Sequence, residues 1–224
     1  MQILRKPDFS HNYLATIAIG EKYINSWNEF AKPSWEDYCE KHDLGLLVFD
    51  KQLVGRDHPQ WKKPTWQKLL IGKRIQEAEI SADNICYLDS DILIGPFAKN
   101  IFKNYNRQSI GLVSKRFNMP FELDLVLRRL AFLRHFHYSR EYPLDSILFI
   151  SLDELYTSIK LPAQPNEACM GLILFNTSEH TEIMHEWFLK YDQNIKSPTN
   201  DGDQTHVNYE IQKWGKVQWL EYEY

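Results

Sequence analysis

The chain is poor in cysteine, has no long apolar run and carries no large excess of either charge. Its three cysteines, Cys39, Cys86 and Cys169, are odd in number and widely spaced, which argues against a disulfide framework and against a cysteine-based zinc site. Cys86 and Cys169 lie in apolar, strand-like runs and read as buried thiols of a reducing compartment, so the expected location is cytoplasmic. No stretch approaches the roughly 18 apolar residues of a membrane span. Residues 1–6 followed by Pro7 do not have the shape of a signal peptide, so no transmembrane or leader segment is expected. With 26 Lys and Arg against 30 Asp and Glu, the formal net charge is -4, which argues against a general nucleic-acid binder. There is no internal repeat and no low-complexity segment.

What is present is ordinary in bulk and informative in order. At 224 residues, with 43% apolar and 25% charged side chains, the chain is long enough for one large α/β core. The run from Tyr13 to Ile19, ended by Gly20, reads as a first strand. A helical stretch follows from Glu21 and is broken near Pro33. Ser34-Trp35-Glu36-Asp37 then resembles a capping box opening a second helical piece to His42. Leu44 to Phe49 is the next strand. After a polar loop, Pro64-Thr65 opens a helix in which Trp66, Leu69, Leu70 and Ile75 recur at helical spacing. It leads into a strand ending at Asp89. Strand, helix, strand, helix, strand is the order of a mostly parallel central sheet flanked by helices.

Beyond this, strands are expected at Ile110 to Ser114, Cys169 to Phe175 and Val217 to Leu220. Helices are expected over Phe121 to His137, Thr177 to Tyr191 and Asp203 to Trp214. A single domain over residues 1–224 results, with a nucleotide-binding half over about 12–95 and an acceptor-side half over about 96–224.

Ile85-Cys86-Tyr87-Leu88-Asp89-Ser90-Asp91-Ile92-Leu93-Ile94 sets two carboxylates, one residue apart, between two apolar runs. Carboxylates held at a strand end are costly unless paired with a cation or with hydrogen-bond donors. Hard divalent ions such as Mn2+ or Mg2+ take oxygen ligands and leave positions open for substrate phosphates. In open α/β sheets, ligands lie beyond the carboxyl ends of the strands, where Asp89 and Asp91 fall. The bland alternative is a solvated Asp-Ser-Asp turn.

Taken together with that Asp-x-Asp (DXD) motif, four stretches resemble the glycosyltransferases of GT-A fold, a Rossmann-like nucleotide-diphospho-sugar transferase architecture. The nearest look is to the glycogenin-like and bacterial galactosyltransferase group (family 8) and to related mannosyl- and galactosyltransferases. The stretches are Lys68 on the helix before the motif, Thr16-Ile17-Ala18-Ile19-Gly20-Glu21-Lys22-Tyr23, Cys169-Met170-Gly171-Leu172-Ile173-Leu174-Phe175-Asn176, and Asp203-Gln204 followed by Val207-Asn208. The resemblance implies a metal-dependent hexosyltransferase that moves a sugar from a UDP- or GDP-linked donor to a hydroxyl of a glycan or other acceptor, with retention. It implies that Asp89 and Asp91 hold Mn2+ (or Mg2+). It implies a donor site of Thr16, Ala18, Tyr23 (base stacking), Lys68 (phosphates), Asp89, Ser90 and Gly171, where the missing side chain lets the sugar approach. Asp203 and Gln204 fall beside the anomeric carbon as candidate catalytic groups. Arg116, Arg140 and Tyr142 fall on the acceptor side.

The departures are definite. Cys169-Met170 replaces the polar pair usual before the family's glycine, and the late His-x-x-Gly-x-x-Lys-Pro-Trp segment that supplies a third metal ligand has no match. His206 is positionally conceivable in that role, though a helix histidine is more often structural. Two other classes stay open. A haloacid-dehalogenase-like phosphatase would use Asp89 as nucleophile and Asp91 as acid/base. A non-catalytic nucleotide-sugar binding domain would keep the pocket and lack the chemistry.

Overall fold

The computed structural model describes residues 1–117, 122–137, 150–193, 195 and 202–221, with side chains up to residue 133 in the helix that ends at His137. A seven-stranded sheet forms the frame: β1 (Gln2–Arg5), β2 (Asn12–Ile17), β3 (Gly45–Phe49), β4 (Asn84–Leu88), β5 (Ile110–Ser114), β6 (Ala168–Asn176) and β7 (Val217–Leu220), in the spatial order β1-β3-β2-β4-β6-β5-β7. The expected strand–helix–strand–helix–strand run is there: β3 and β4 both lie parallel to β2.

The expectation of a mostly parallel sheet is corrected by the remaining strands. β1 runs antiparallel to β3, and β6 runs antiparallel to both β4 and β5, while β5 and β7 are parallel. The sheet is mixed. The reversed strands are β1, at the edge, and β6, which enters between β4 and β5 from the opposite end and brings its N-terminal half against the carboxyl ends of both.

Both faces are covered, which is why the central strands are apolar throughout. By the alternation of a strand, Tyr13, Ala15 and Ile17 of β2 join one core and Leu14 the other, with Ala18 just beyond. The first core takes Trp66, Leu69, Ile71 and Ile75 from the segment α3 (Pro64–Gln67), a 3-10 turn (Lys68–Leu70) and α4 (Ile71–Glu77). It also takes side chains from two later helices, Thr177–Lys190 and Gln204–Trp214. The second core takes Trp27, Trp35, Tyr38 and Cys39 from α1 (Glu21–Ser26), a π-helical turn (Trp27–Ala31) and α2 (Lys32–His42). Among the described residues the remaining helices are α5 (Leu123–His137) and α6 (Leu152–Ser158), so the two named above are α7 (Thr177–Lys190) and α8 (Gln204–Trp214).

Two local expectations change. Pro33 does not break a helix but sits in the first turn of α2, where its missing N–H costs nothing. Ser34 is therefore inside α2 and caps nothing; its hydroxyl donates to Ala31 O and accepts from Ile94 N. A true capping box stands at Ser151 and Glu154, opening α6.

Candidate active site

A cleft of about 480 Å³ opens at the carboxyl ends of β2 and β4. Its walls are Ile17 and Ile19 past β2, Tyr23 on α1, residues 63–65 at the start of α3, and Tyr87, Asp89, Ser90 and Asp91 past β4, with Gly202 at the rim. Gly20 makes the turn between β2 and α1 at φ 95°, a conformation that glycine adopts without a Cβ penalty, and its carbonyl accepts from Tyr23 N and Ile24 N. That turn leaves the Tyr23 ring 60% exposed over the cleft. Strand alternation puts Ile17 and Ile19 on the cleft side, while Thr16 and Ala18 are buried behind them. Thr16 Oγ1 has no hydrogen-bond partner among the described residues.

The floor of the site is built by a bulge. The register of β5 on β6 jumps from Leu112↔Ile173 to Val113↔Cys169, so residues 170–172 are extra on β6. Bulges re-aim backbone groups and are common next to active sites. Here Gly171 O accepts from Asp89 N at 2.8 Å, and Met170 O accepts from Lys68 Nζ at 2.6 Å. A Cβ on Gly171 would stand 2.9 Å from Asp89 Oδ2. The missing side chain thus makes room for a carboxylate of the protein itself. Cys169, expected as a buried thiol, is exposed on this bulged segment.

Lys68 is the centre of the buried polar cluster. The 3-10 turn that interrupts the expected continuous helix carries Lys68, whose side chain is only 2% exposed. Its ammonium lies 3.3 Å from Asp203 Oδ2, 3.7 Å from Asp89 Oδ1 and 4.9 Å from the centre of the Tyr87 ring. The resemblance places Lys68 on the donor phosphates; the structure shows its ammonium bonded to protein groups. Asp203 occupies the N-cap position of α8 without making a side-chain cap bond, so its carboxylate serves Lys68 instead. Burial pushes the Asp203 carboxyl above the usual range, Lys68 opposes that shift, and Asp89 adds to it.

Tyr87 and Glu167 carry weight that the sequence did not assign to them. The Tyr87 hydroxyl donates to Asp89 Oδ1 at 2.6 Å. Burial, then the Asp89 charge and hydrogen bond, hold that phenol well above its ordinary value, so it stays a donor. The signal for Tyr87 was present: two residues before Asp89 on a strand is the same face. Glu167, just before β6, is buried and accepts from Gln204 Nε2 at 2.7 Å and Lys115 Nζ at 2.7 Å, with Arg116 3.5 Å away. Arg116 also donates to Ile150 O. The structure therefore brings Lys68, Asp89, Gly171 and Asp203 together, and draws Gln204 and Arg116 to Glu167. Arg140 and Tyr142 lie outside the described residues. His206 packs between the rings of Trp66 and Tyr191, and burial lowers its pKa.

A divalent cation fits this donor set in one sense. Asp89 is half-exposed at the cleft, its carboxylate accepting from Tyr87 and its backbone N–H donating to Gly171 O, and Asp91 is exposed beside it. Among the described residues, no group of three or more His, Cys, Asp or Glu side chains stands ready to hold a metal. Two oxygen ligands with open positions suit a hard ion that completes its shell with water and substrate phosphate.

No protein-family model matches the chain, and no curated protein matches it in sequence. Solved structures do match in shape. A glycosyltransferase involved in glycosylating the major capsid of PBCV-1 superposes with a TM-score of 0.52 at 11% identity, over 93% of this chain and 81% of that one. The galactosyltransferase LgtC, solved with donor and acceptor sugar analogues, superposes with a TM-score of 0.54 at 13% identity, over 93% of this chain and 73% of that one. The chain shares the fold of these glycosyltransferases. Neither match supports the phosphatase alternative, and no helix among the described residues is long and apolar enough to cross a membrane.

Proposed function

We propose that the protein is a glycosyltransferase that moves a sugar from a UDP- or GDP-linked donor to an acceptor hydroxyl, with Mn2+ or Mg2+ held by Asp89 and Asp91. The observation that carries this reading is the position of Asp89 and Asp91 in a cleft at the sheet's carboxyl edge, within a fold shared with glycosyltransferases. The exposed Tyr23 ring offers a face for the nucleotide base and Ser90 borders the ribose, while Thr16 and Ala18, buried behind Ile17 and Ile19, support the cleft wall from inside. When bound, the metal ion supplies charge neutralisation for the departing diphosphate.

The chain's own residues do the rest. Tyr87 and the bulge at Gly171 hold the Asp89 carboxylate in place. Lys68 ties Asp89 to Asp203, so it acts on the donor side through those carboxylates. Asp203 and Gln204, at the start of α8, flank the anomeric carbon. In the transfer, the bond from the anomeric carbon to the diphosphate oxygen breaks with its electron pair. The acceptor oxygen bonds to that carbon, and its proton leaves with the nucleoside diphosphate. Among the described residues that line the cleft the carboxylates are Asp89 and Asp91, both assigned to the metal, so none stands out as a dedicated base, which favours retention. Arg116, with Arg140 and Tyr142, marks the acceptor side.

Thermal unfolding with UDP or GDP, with and without Mn2+, tests this reading. Ligand at about 100 times its dissociation constant adds about 2.7 kcal/mol to apparent stability. Stabilisation by one nucleotide that requires Mn2+ is expected, and Asp89→Ala and Asp91→Ala should each abolish both it and Mn2+-dependent release of nucleotide from UDP- or GDP-sugars while remaining folded. Full activity in either variant sinks the metal assignment. Nucleotide binding without sugar transfer or hydrolysis would identify a binding module instead.

A further inference from the structure

We propose that Glu167 fixes the direction of the Gln204 side-chain amide, so that the amide offers its oxygen to the substrate; Glu167 is then a positioning residue for a candidate catalytic group, an inference that rests on the transferase reading.

Glu167 is buried, and both its carboxylate oxygens face donors. Gln204 Nε2 and Lys115 Nζ each lie 2.7 Å from Oε1, and an Arg116 nitrogen lies 3.5 Å from Oε2. An ionised carboxylate only accepts hydrogen bonds. The Gln204 amide can therefore meet it only through its NH2 group, since its oxygen turned that way would face a like partial charge. Gln204 Oε1 is left without a donor among the described residues, on a half-buried side chain next to Asp203. An acceptor oxygen is what a carbon gathering positive charge, or a sugar hydroxyl, needs nearby; an NH2 group there would repel that charge.

The pair is held from both sides without depending on its own bond. Glu167 N donates to Asn166 Oδ1 and Lys115 N donates to Glu167 O, each at 2.8 Å. The start of α8 is tied to β6 by Asn208, whose Oδ1 accepts from Ala168 N at 2.6 Å while its Nδ2 donates to Ala168 O and Gln204 O. Loss of the Glu167 charge would thus free the amide to rotate while leaving helix and strand in place.

The exchange of the two side chains tests this. Nucleotide release from UDP-galactose, UDP-glucose and GDP-mannose with Mn2+ is measured for the full chain, Glu167→Gln, Gln204→Glu, and the double variant carrying both changes. Glu167→Gln is expected to lower kcat about tenfold to a hundredfold, with the donor KM within about twofold of wild type, the pattern of an interaction made in the transition state. The double variant reverses the pair, with an NH2 at position 167 donating to one carboxylate oxygen at position 204, and leaves the second oxygen at 204 for the substrate, so it should recover at least about tenfold over Glu167→Gln. An unchanged kcat in Glu167→Gln, or a folded double variant no better than that single one, overturns the proposal.

A second readout needs no folded variant. In the wild-type protein the Gln204 side-chain amide protons should exchange with water more slowly than those of exposed Gln76, and equal rates would overturn the proposal. Failure of the wild type to release nucleotide from any donor, with a protected Gln204 amide, would refute the transferase reading while the amide direction stands.

Discussion

Two buried ionic clusters flank the N-terminal half of β6, and they are inverses of each other. One is a cation among acids: Lys68 with Asp203, Asp89 and the carbonyl of Met170. The other is an acid among cations: Glu167 with Lys115, Arg116 and the amide of Gln204. They differ in how much water their partners keep. Lys68 and Asp203 are 2% and 5% exposed, whereas the Lys115 and Arg116 side chains are 40% and 19% exposed. Removing the central charge should therefore cost more in the first cluster, where Asp203 is left without solvent, although Asp89, 43% exposed, keeps its water.

Lys68→Met is the largest break in that comparison. Taking one partner from a buried ion pair costs about 3–5 kcal/mol, and urea unfolding at neutral pH should show a loss in that range. Burial already pushes the Asp203 carboxyl up, so mild acid lets it take a proton and the deficit should shrink as pH falls. Glu167→Gln, an isosteric neutral change whose cationic partners keep more water, should cost less than Lys68→Met. Equal losses in the two variants would erase the distinction.

Gly171→Ala probes the next contrast, between room made for a substrate and room made for Asp89. The new Cβ would meet Asp89 Oδ2 at 2.9 Å, the mobile end of a side chain that is half-exposed. Overpacking of this kind costs about 1–3 kcal/mol, and Asp89 can yield by rotating. The larger effect should fall on metal binding, because rotation takes the carboxylate off the geometry set by Tyr87. Mn2+ affinity read by calorimetry should weaken about 10- to 100-fold, while Ala at the neighbouring exposed Cys169 leaves it unchanged. Unaltered Mn2+ binding in Gly171→Ala would show that Asp89 does not need this space.

The parts of this arrangement that were legible in the sequence are local ones. β2, β3 and β4 are apolar runs separated by helical spacing, so their order and parallel pairing follow from short-range pattern. Asp89 and Asp91 announced themselves because two acids interrupt an apolar strand. The direction of β6 did not, since an apolar strand reads the same from either end and its partner β4 is about eighty residues earlier in the chain. The bulge at residues 170–172 is likewise a property of pairing, not of the strand itself. That is why Cys169 read as buried, and why the close approach of Gly171 to Asp89 could not be foreseen. Glu167 sits in an unremarkable loop-to-strand junction, and its meaning arises only when Lys115, Arg116 and Gln204 converge on it. β1 escaped for a different reason: as a four-residue edge strand it has no apolar alternation, with a largely exposed burial pattern.

A third acid completes the comparison, because it works with neither a buried cation nor a metal. Asp43 ends α2 in the left-handed region at φ 52°. Its carboxylate accepts from Asp8 N at 2.7 Å, Ser10 N at 2.8 Å and Phe9 N at 3.0 Å, stapling the β1–β2 connection to the helix end. Those bonds, that to Asp8 foremost, hold its pKa below the usual carboxylate range. A group depressed in the folded state contributes stability that is fully present above its unfolded pKa, about 3.9, and that is lost as pH falls through the folded value. Asp43→Asn keeps a residue that tolerates the left-handed conformation, removes the charge and replaces one of the two accepting oxygens by an NH2 donor. It should be less stable than wild type at pH 7, by less than Lys68→Met, and the difference should close as pH falls below about 3.9. Because Asp89, Asp203 and the other acids titrate alike in both proteins, the wild type minus variant difference isolates Asp43. A gap that stays constant from pH 7 to pH 2 would mean that the staple acts through shape and not through charge.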